Sequence, residues 1–275
     1  MIQDPLMVER RGAVAVLTLN RPDRINAFTP AMLAAIAAAI DAAVGDRDVR
    51  AILITGAGRG FCSGQDIVHV AGLPPDERDV AFMLATHYEP VIARMHACPL
   101  PIVAAVNGVA AGAGANFALL ADFVLAARSA SFVEAFGRIG LIPDVGGTWT
   151  LPRLVGEARA RGLCLLGEPL AAEQAAEWGL IWRTVDDERL MDEAMALAEA
   201  LAARSASAIA LTKRALAASP DNDFGSQIAL ERALQAEAAA TPDHAEGVAA
   251  FLGKRAPSWA TRETLPQGNE PPDVA

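Results

Sequence analysis

The sequence predicts a layered α/β fold, and three observations carry that expectation. Short, almost wholly apolar runs at 51–55, 101–106 and 123–126 recur along the first half of the chain. They are too short for helices and show no polar alternation, so they read as strands buried on both faces, as in a parallel sheet. Helical patterns separate the first of these runs, giving a strand, strand, helix rhythm that places helices outside the strands. From Glu157 onward, helical periodicity dominates.

Taken in order, residues 7–10 and 13–20 read as a hairpin turning at Arg11-Gly12. Thr29 and Pro30 supply an N-cap and a first-turn proline for an Ala-rich helix reaching about Val44. The buried strand 51–55 leads into a glycine-punctuated loop, 56–64. Residues 79–97 read as a helix and 101–106 as the next buried strand. Asn107-Gly108 then turns the chain toward a helix over 112–120. A third buried strand is expected at 123–126 and a short one at 131–133. Further helices are expected over 171–178, 190–203, 206–218 and 224–240, with a last one capped by Thr241 and started by Pro242. So much amphipathic helix needs a surface to cover, and a neighbouring subunit is the expected one. The proline-rich, polar residues 266–275 are expected to be a disordered tail.

The chain has 275 residues, enough for one large domain or a core with an appendage. A net charge of -10 and a pI near 4.9 argue against nucleic acid or an anionic membrane as partner. No apolar stretch is long enough to span a bilayer, and the first residues do not resemble a secretory signal, so a cytoplasmic location is expected. Cys62, Cys98 and Cys164 lack paired spacing, which fits a reducing compartment. With four scattered histidines they offer no metal-binding pattern.

The chemistry concentrates in two segments. Asp144 sits in the apolar turn 140–148, GLIPDVGGT, where ionisation is costly and the carboxyl is suited to carrying protons. The alternative is that Asp144 caps the helix that follows. Upstream, Gly112-Ala113-Gly114 forms a glycine-rich helix entry whose backbone N–H groups can bind an oxyanion. Asn116, one turn into that helix, can reach the cavity of Asp144 or be satisfied within the core. Other features read as structural. The loop GAGRG at 56–60 lacks the third glycine of a dinucleotide site, which would fall at Phe61. Cys62, in GFCSG, lies too far beyond its strand to be a nucleophile elbow and is expected to be a buried thiol. His69, His87 and His96 are expected on surfaces or helix ends, and Asp66 as the cap of a short helix. Asp122 and Glu134 are expected to be structural or solvated.

Four stretches taken together resemble the crotonase (enoyl-CoA hydratase/isomerase) superfamily. They are 54–67 (ITGAGRGFCSGQDI), 101–114 (PIVAAVNGVAAGAG), 140–148, and AEQA at 172–175 with Gly179-Leu180. The likeness runs in family order from about Leu17 to Arg255. It implies a crotonase-like spiral of ββα turns over residues 1–200, bearing the acyl-CoA site. A C-terminal helical region, 201–265, would build a homotrimer or a dimer of trimers. No cofactor is implied, coenzyme A being part of the substrate. The thioester oxygen would be held by the backbone N–H groups of Gln65 and Ala113; the second position is usually glycine in the family, and a backbone donor tolerates the small side chain. Arg24, Ile25, Gln65, Asp66, Ile67 and Val68 would line the CoA groove, with Phe251 and Lys254 of an adjacent subunit closing over the nucleotide.

The resemblance also bears on the reaction. Hydratases of the family handle water with two glutamates, whose positions here hold Asn116 and Phe136, so these two would instead shape the acyl pocket. Asp144 stands where dienoyl-type isomerases carry an aspartate, although those also keep a glutamate at the Phe136 position. The lone-aspartate pattern is similar to that of the ring-1,2-epoxyphenylacetyl-CoA isomerases of bacterial phenylacetate degradation. The expectation is an acyl-CoA isomerase with Asp144 as its catalytic residue. The alternatives are an isomerase or hydratase acting on a different acyl-CoA and a non-catalytic CoA-binding scaffold.

Overall fold

A computed structural model of the chain describes residues 4–259. The hairpin forms as expected: β1 (Leu6–Arg11) and β2 (Val14–Leu19) pair antiparallel, with Leu6 opposite Leu19. Thr29 then caps α1 (Pro30–Gly45) by accepting from Met32 N–H at 3.3 Å. Three strand–strand turns come next. The first holds β3 (Ala51–Gly56) and β4 (Gly60–Cys62). Its return path runs through α2 (Ile67–Ala71), α3 (Val80–Met83), a π-helical turn (Leu84–Tyr88) and α4 (Glu89–Ala97). The second holds β5 (Ile102–Val106), β6 (Val109–Ala111) and α5 (Ala113–Leu119). The third holds β7 (Phe123–Ala127) and β8 (Ser131–Val133), then α6 (Gly147–Val155) and α7 (Glu157–Leu166).

Each turn sends its first strand to one sheet and its second strand to another. The larger sheet has the order β1-β2-β3-β5-β7 and ends on β10 (Arg183–Val185), parallel from β2 onward. The smaller runs β4-β6-β8 in parallel and ends on β9 (Leu170–Ala171), paired antiparallel to β8. Stacking successive turns in this way generates the ββα spiral. Every residue of β3 and β5 is buried, as a sheet covered on both faces requires. After α8 (Ala172–Glu177), the helix α9 (Leu190–Ala202) lies across β3, β5 and β7, burying Leu190, Ala194, Ala198 and Ala202. The three alanines of this i, i+4 row let the helix approach the strands closely.

Beyond it, α10 (Ala206–Ala218), α11 (Phe224–Ala239) and α12 (Pro242–Leu252) bury few residues. Phe224, Phe251 and Leu252 are largely exposed.

Three local expectations need correction. The loop 56–64 contains β4, and β6 precedes α5, because three-residue strands in a glycine-rich context leave no periodic signature. Thr241 does not cap α12 through its side chain; its hydroxyl instead donates to Ala238 O at 2.7 Å. The segment 266–275 lies outside the described residues.

Candidate active site

One half of the site is made of backbone. Phe28 forms a parallel bridge with Gln65, its N–H donating to Gly64 O (2.7 Å) and its carbonyl accepting from Asp66 N–H (3.0 Å). In a parallel ladder the residue between those two directs its own N–H to the other side, so Gln65 N–H faces away from Phe28. Ala113 opens α5, and the N–H of a first helical residue has no intrahelical acceptor. Among the described residues, neither N–H donates to a backbone carbonyl.

A glycine at positive φ precedes each donor: Gly64 (φ 88°) and Gly112 (φ 53°). L side chains rarely adopt that conformation, which is why glycine stands there. The two segments run close together, since a Cβ added to Gly64 would lie 3.4 Å from Ala113 N and 2.9 Å from Ala111 O. Gly114 is needed for a different reason: a Cβ there would meet Cys62 O at 2.4 Å.

Aromatic packing and one amide fix this frame. Phe28, Phe61 and Phe117 are fully or almost fully buried, with Phe28 and Phe117 edge-to-face at 5.3 Å and Phe61 and Phe117 stacked at 6.5 Å. Each such pair contributes about 0.5–1.5 kcal/mol beyond its burial. Asn26, completely buried and left-handed (φ 53°), donates through Nδ2 to Ala57, Gly60 and Phe61 carbonyls, while its Oδ1 accepts from Arg21 N–H. Cys62 lies under the same loop, its thiol donating to Asn26 O at 3.1 Å. Burial pushes that thiol up to about 12, so it is the expected inert cysteine.

The other half is made of side chains. Asn116 is one turn along α5 from Ala113, on the same face and about 5 Å further along the axis. Its Nδ2 donates both to the carbonyl oxygen of Asp144 (3.0 Å) and to Glu134 Oε2 (3.2 Å). The expected meeting of Asn116 and Asp144 therefore occurs, and Asn116 brings in Glu134 as well. Burial pushes Asp144 up to about 6. It does not cap α6: Gly146 holds the N-cap position, and Gly147 N–H bonds the Asp144 carbonyl rather than its carboxyl.

Glu134 is not solvated but buried, at 3% exposure. Burial drives its carboxyl up to about 7, the Asn116 bond draws it down, and the charge of Asp144 raises it further. Phe136 is also buried, with its ring edge 3.6 Å from where a Gly112 Cβ would stand. It thus lies against the glycine that precedes the Ala113 donor. Asp122 has the expected structural role, accepting from Ile102 N–H (2.7 Å) and pairing with Lys213 (2.6 Å).

The residues expected around coenzyme A fall into two groups. Arg24, Ile25, Gln65, Asp66, Ile67 and Val68 gather in one region, where the segments 24–28 and 63–68 run side by side. There Ser63 N–H bonds Ile25 O, the Ser63 hydroxyl bonds Arg24 O, and Ile67 and Val68 are more than half exposed. Asp66 is committed internally. It caps α2 through His69 N–H (3.0 Å) and pairs with Arg21 (2.6 Å), whose guanidinium helps hold its carboxyl below the usual range against the effect of burial. Its carboxylate is therefore a strut for the Gln65 segment rather than a free ligand. Phe251 and Lys254 lie apart, exposed at the end of α12.

The spiral, the paired N–H donors and the buried carboxyl fit one family, and the sequence profile described as enoyl-CoA hydratase/isomerase matches residues 9–262. The chain belongs to the enoyl-CoA hydratase/isomerase family. It is 49% identical to the 1,2-epoxyphenylacetyl-CoA isomerase of Escherichia coli K12 over 250 residues, covering 90% of this chain and 94% of that one. It is 48% identical to a Rhodobacter capsulatus protein named as a probable enoyl-CoA hydratase, over 90% of this chain and 95% of the other. The solved enoyl-CoA hydratase of Bacillus anthracis superposes with a TM-score of 0.89 at 30% identity, covering 94% of this chain and 100% of that one. Two relatives of nearly equal identity thus carry different activities in their names, and the choice between those activities falls to the side chains of the site.

Sequence reasoning passed over Asn26 and Tyr88 and left Glu134 open between a structural and a solvated place, of which its burial keeps the structural one. Asn26 follows the charged run 21–24 in the sequence, and the carbonyls it bonds lie more than 30 residues later, so no local pattern marked it. Tyr88, the one tyrosine of the chain, lay inside an ordinary helical pattern.

Proposed function

We propose that the protein is an acyl-CoA isomerase that moves a proton through a thioester enolate. The observation that carries this reading is Asp144, a desolvated carboxyl with its Oδ1 unpartnered. Its backbone is held by Asn116, one helical turn from Ala113. In this scheme Gln65 and Ala113 N–H groups hold the thioester oxygen. Ionised Asp144 takes the proton from C2 of a cis-3-enoyl-CoA, and the electron pair spreads onto the thioester oxygen and C4. The protonated carboxyl then delivers the same proton to C4, giving the conjugated trans-2 product and restoring the carboxylate. One carboxyl is sufficient because it ends as it began. Each preorganised N–H donor is worth about 3–4 kcal/mol of barrier in such a site. A ring 1,2-epoxyphenylacetyl-CoA, isomerised to the oxepin, is the substrate suggested by the similarity to the E. coli enzyme.

Phe136 in place of a water-handling glutamate leaves the pocket dry beside the oxyanion donors and disfavours hydration. The hydratase reading has one observation in its favour, the second buried carboxyl of Glu134. That group is bonded to Asn116, and its backbone runs against Gly167 at the end of α7, where a Cβ would lie 3.1 Å from Glu134 O. It therefore lies behind Asn116, toward α7, and serves better as a support than as a base for water. We further propose the surface around Arg24, Ile25 and residues 65–68 as the CoA groove, Phe251 and Lys254 as contacts made across a homotrimer or dimer of trimers, and no separate cofactor.

Ultraviolet absorbance separates the readings. The isomerase reading predicts growth of conjugated thioester absorbance from cis-3-hexenoyl-CoA and no loss of it from crotonyl-CoA. Rapid loss of crotonyl-CoA absorbance, with no reaction of the 3-enoyl thioester, would establish a hydratase instead.

A further inference from the structure

Among the described residues, three buried side-chain polar atoms lack a hydrogen-bond partner: Tyr88 Oη, Asn116 Oδ1 and Asp144 Oδ1. Buried polar atoms are nearly always paired, so three orphans in one region mark the place where another molecule supplies the partners. They do share a region. Asn116 is bonded to the Asp144 backbone, and the Tyr88 phenol lies within reach of the Asp144 charge, which together with burial pushes its ionisation upward. Tyr88 also packs edge-on against Phe28, at 6.0 Å between ring centroids, and Phe28 is the residue bridged to Gln65. At 3% exposure the ring is locked beneath the site rather than spread over its rim.

The three atoms differ in what they can offer. Asp144 Oδ1 and Asn116 Oδ1 are acceptors. Tyr88, kept neutral by its surroundings, is a donor at any working pH. The backbone adds a second sign of function. Tyr88 closes a π-helical turn, Leu84–Tyr88, between α3 and α4, and such single-turn π insertions are rare and concentrate at functional sites. The extra residue rotates Tyr88 relative to a regular helix and gives its ring a direction that helical periodicity alone would not.

Resting on the acyl-CoA isomerase reading, we propose that Tyr88 is a specificity residue whose hydroxyl donates a hydrogen bond to an oxygen atom carried by the acyl group beside Asp144. The substrate class selected is then an oxygen-bearing acyl thioester, such as a cyclic ether or epoxide, over a hydrocarbon of the same shape. An all-carbon acyl group leaves the phenol unsatisfied in a dry pocket, and that penalty is the source of the discrimination.

The test uses binding of unreactive pairs alongside turnover. Cyclohexylacetyl-CoA and its ring-ether analogue, tetrahydropyranylacetyl-CoA, are titrated calorimetrically into wild type and Tyr88→Phe, and both proteins are assayed with cis-3-hexenoyl-CoA. Wild type is expected to prefer the ether about tenfold, as one neutral hydrogen bond allows. Tyr88→Phe is expected to bind the two alike and to isomerise the hydrocarbon substrate within about threefold of wild type, a difference below 1 kcal/mol. Equal binding of the pair by wild type overturns the proposal. So does a Tyr88→Phe protein that loses hydrocarbon turnover and ether binding together, since the hydroxyl then serves Asp144 or the fold. Failure of the isomerase reading looks different: no turnover of the 3-enoyl thioester by wild type, with the ether preference and its loss in Tyr88→Phe still measurable.

Discussion

In the proposed mechanism the two walls of the site are built on opposite principles. The oxyanion wall, from Gly64-Gln65 and Gly112-Ala113, presents backbone N–H groups whose direction is set by positive-φ glycines, a parallel bridge and the Asn26 amide. It carries no titratable group and owes its precision to shape. The acid–base wall, Asp144 with Asn116, Glu134 and Phe136 around it, presents side chains, and burial sets the protonation of its two carboxyls. A stabilising wall should therefore fail through geometry at every pH, and a proton-moving wall through charge with geometry intact. Substitutions on either wall, and changes of pH, separate those two modes of failure.

The largest effect is expected on the acid–base wall. Asp144→Asn keeps the shape and removes the proton carrier, and should lower kcat by about 10³-fold, within the range of general acid–base catalysis, while thioester binding by calorimetry changes little. Damage to the shape wall should be somewhat smaller. Gly64→Ala forces a Cβ to within 2.9 Å of Ala111 O at φ 88° and should cost about 10²-fold in kcat through one misdirected donor, equally at pH 6 and pH 9.

A change of pH alone should come next in size. Asp144 must be ionised to accept a proton, so kcat/KM should fall as pH drops through about 6, approaching tenfold per pH unit below it. A profile flat from pH 5 to 8 would remove Asp144 as the base. The smallest effect is one of stability. Glu134 has a folded-state value near 7 against an ordinary 4.5, so its ionisation on folding is unfavourable. The resulting destabilisation is absent below 4.5, grows as pH rises to about 7 and is complete above it. Glu134→Gln should therefore raise Tm by a few degrees at pH 8, with the gain vanishing near pH 4, and should leave kcat within about threefold, as expected for a group that acts through Asn116.

The contrast between the walls also explains what could be seen in the sequence. The shape wall is local. Gly112-Ala113-Gly114 and Ser63-Gly64-Gln65 each put a glycine beside its donor in the chain, so the pattern is visible without any fold. Asp144 was legible for a similar reason, being one carboxyl in an apolar run. Glu134 was not, because what buries it comes from elsewhere: Asn116 lies 18 residues earlier, and Asp144 and Cys164 come after it in the chain. Tyr88 was hidden by the π-helical turn, which shifts the helical register without leaving a mark in the residue pattern. The strands of the larger sheet announced themselves as apolar runs, whereas β4 and β6, three residues each, could be recognised only once the spiral set them side by side.

In the proposed reaction one carboxyl takes a proton from carbon and gives it back while the backbone holds the enolate. Its most direct test is a single turnover of cis-3-hexenoyl-CoA deuterated at C2, comparing wild type with Asp144→Asn. Wild type is expected to give conjugated product with part of the deuterium reappearing at C4, and the variant no product on the same timescale although it binds the thioester. Labelled product formed by Asp144→Asn at the wild-type rate would contradict it.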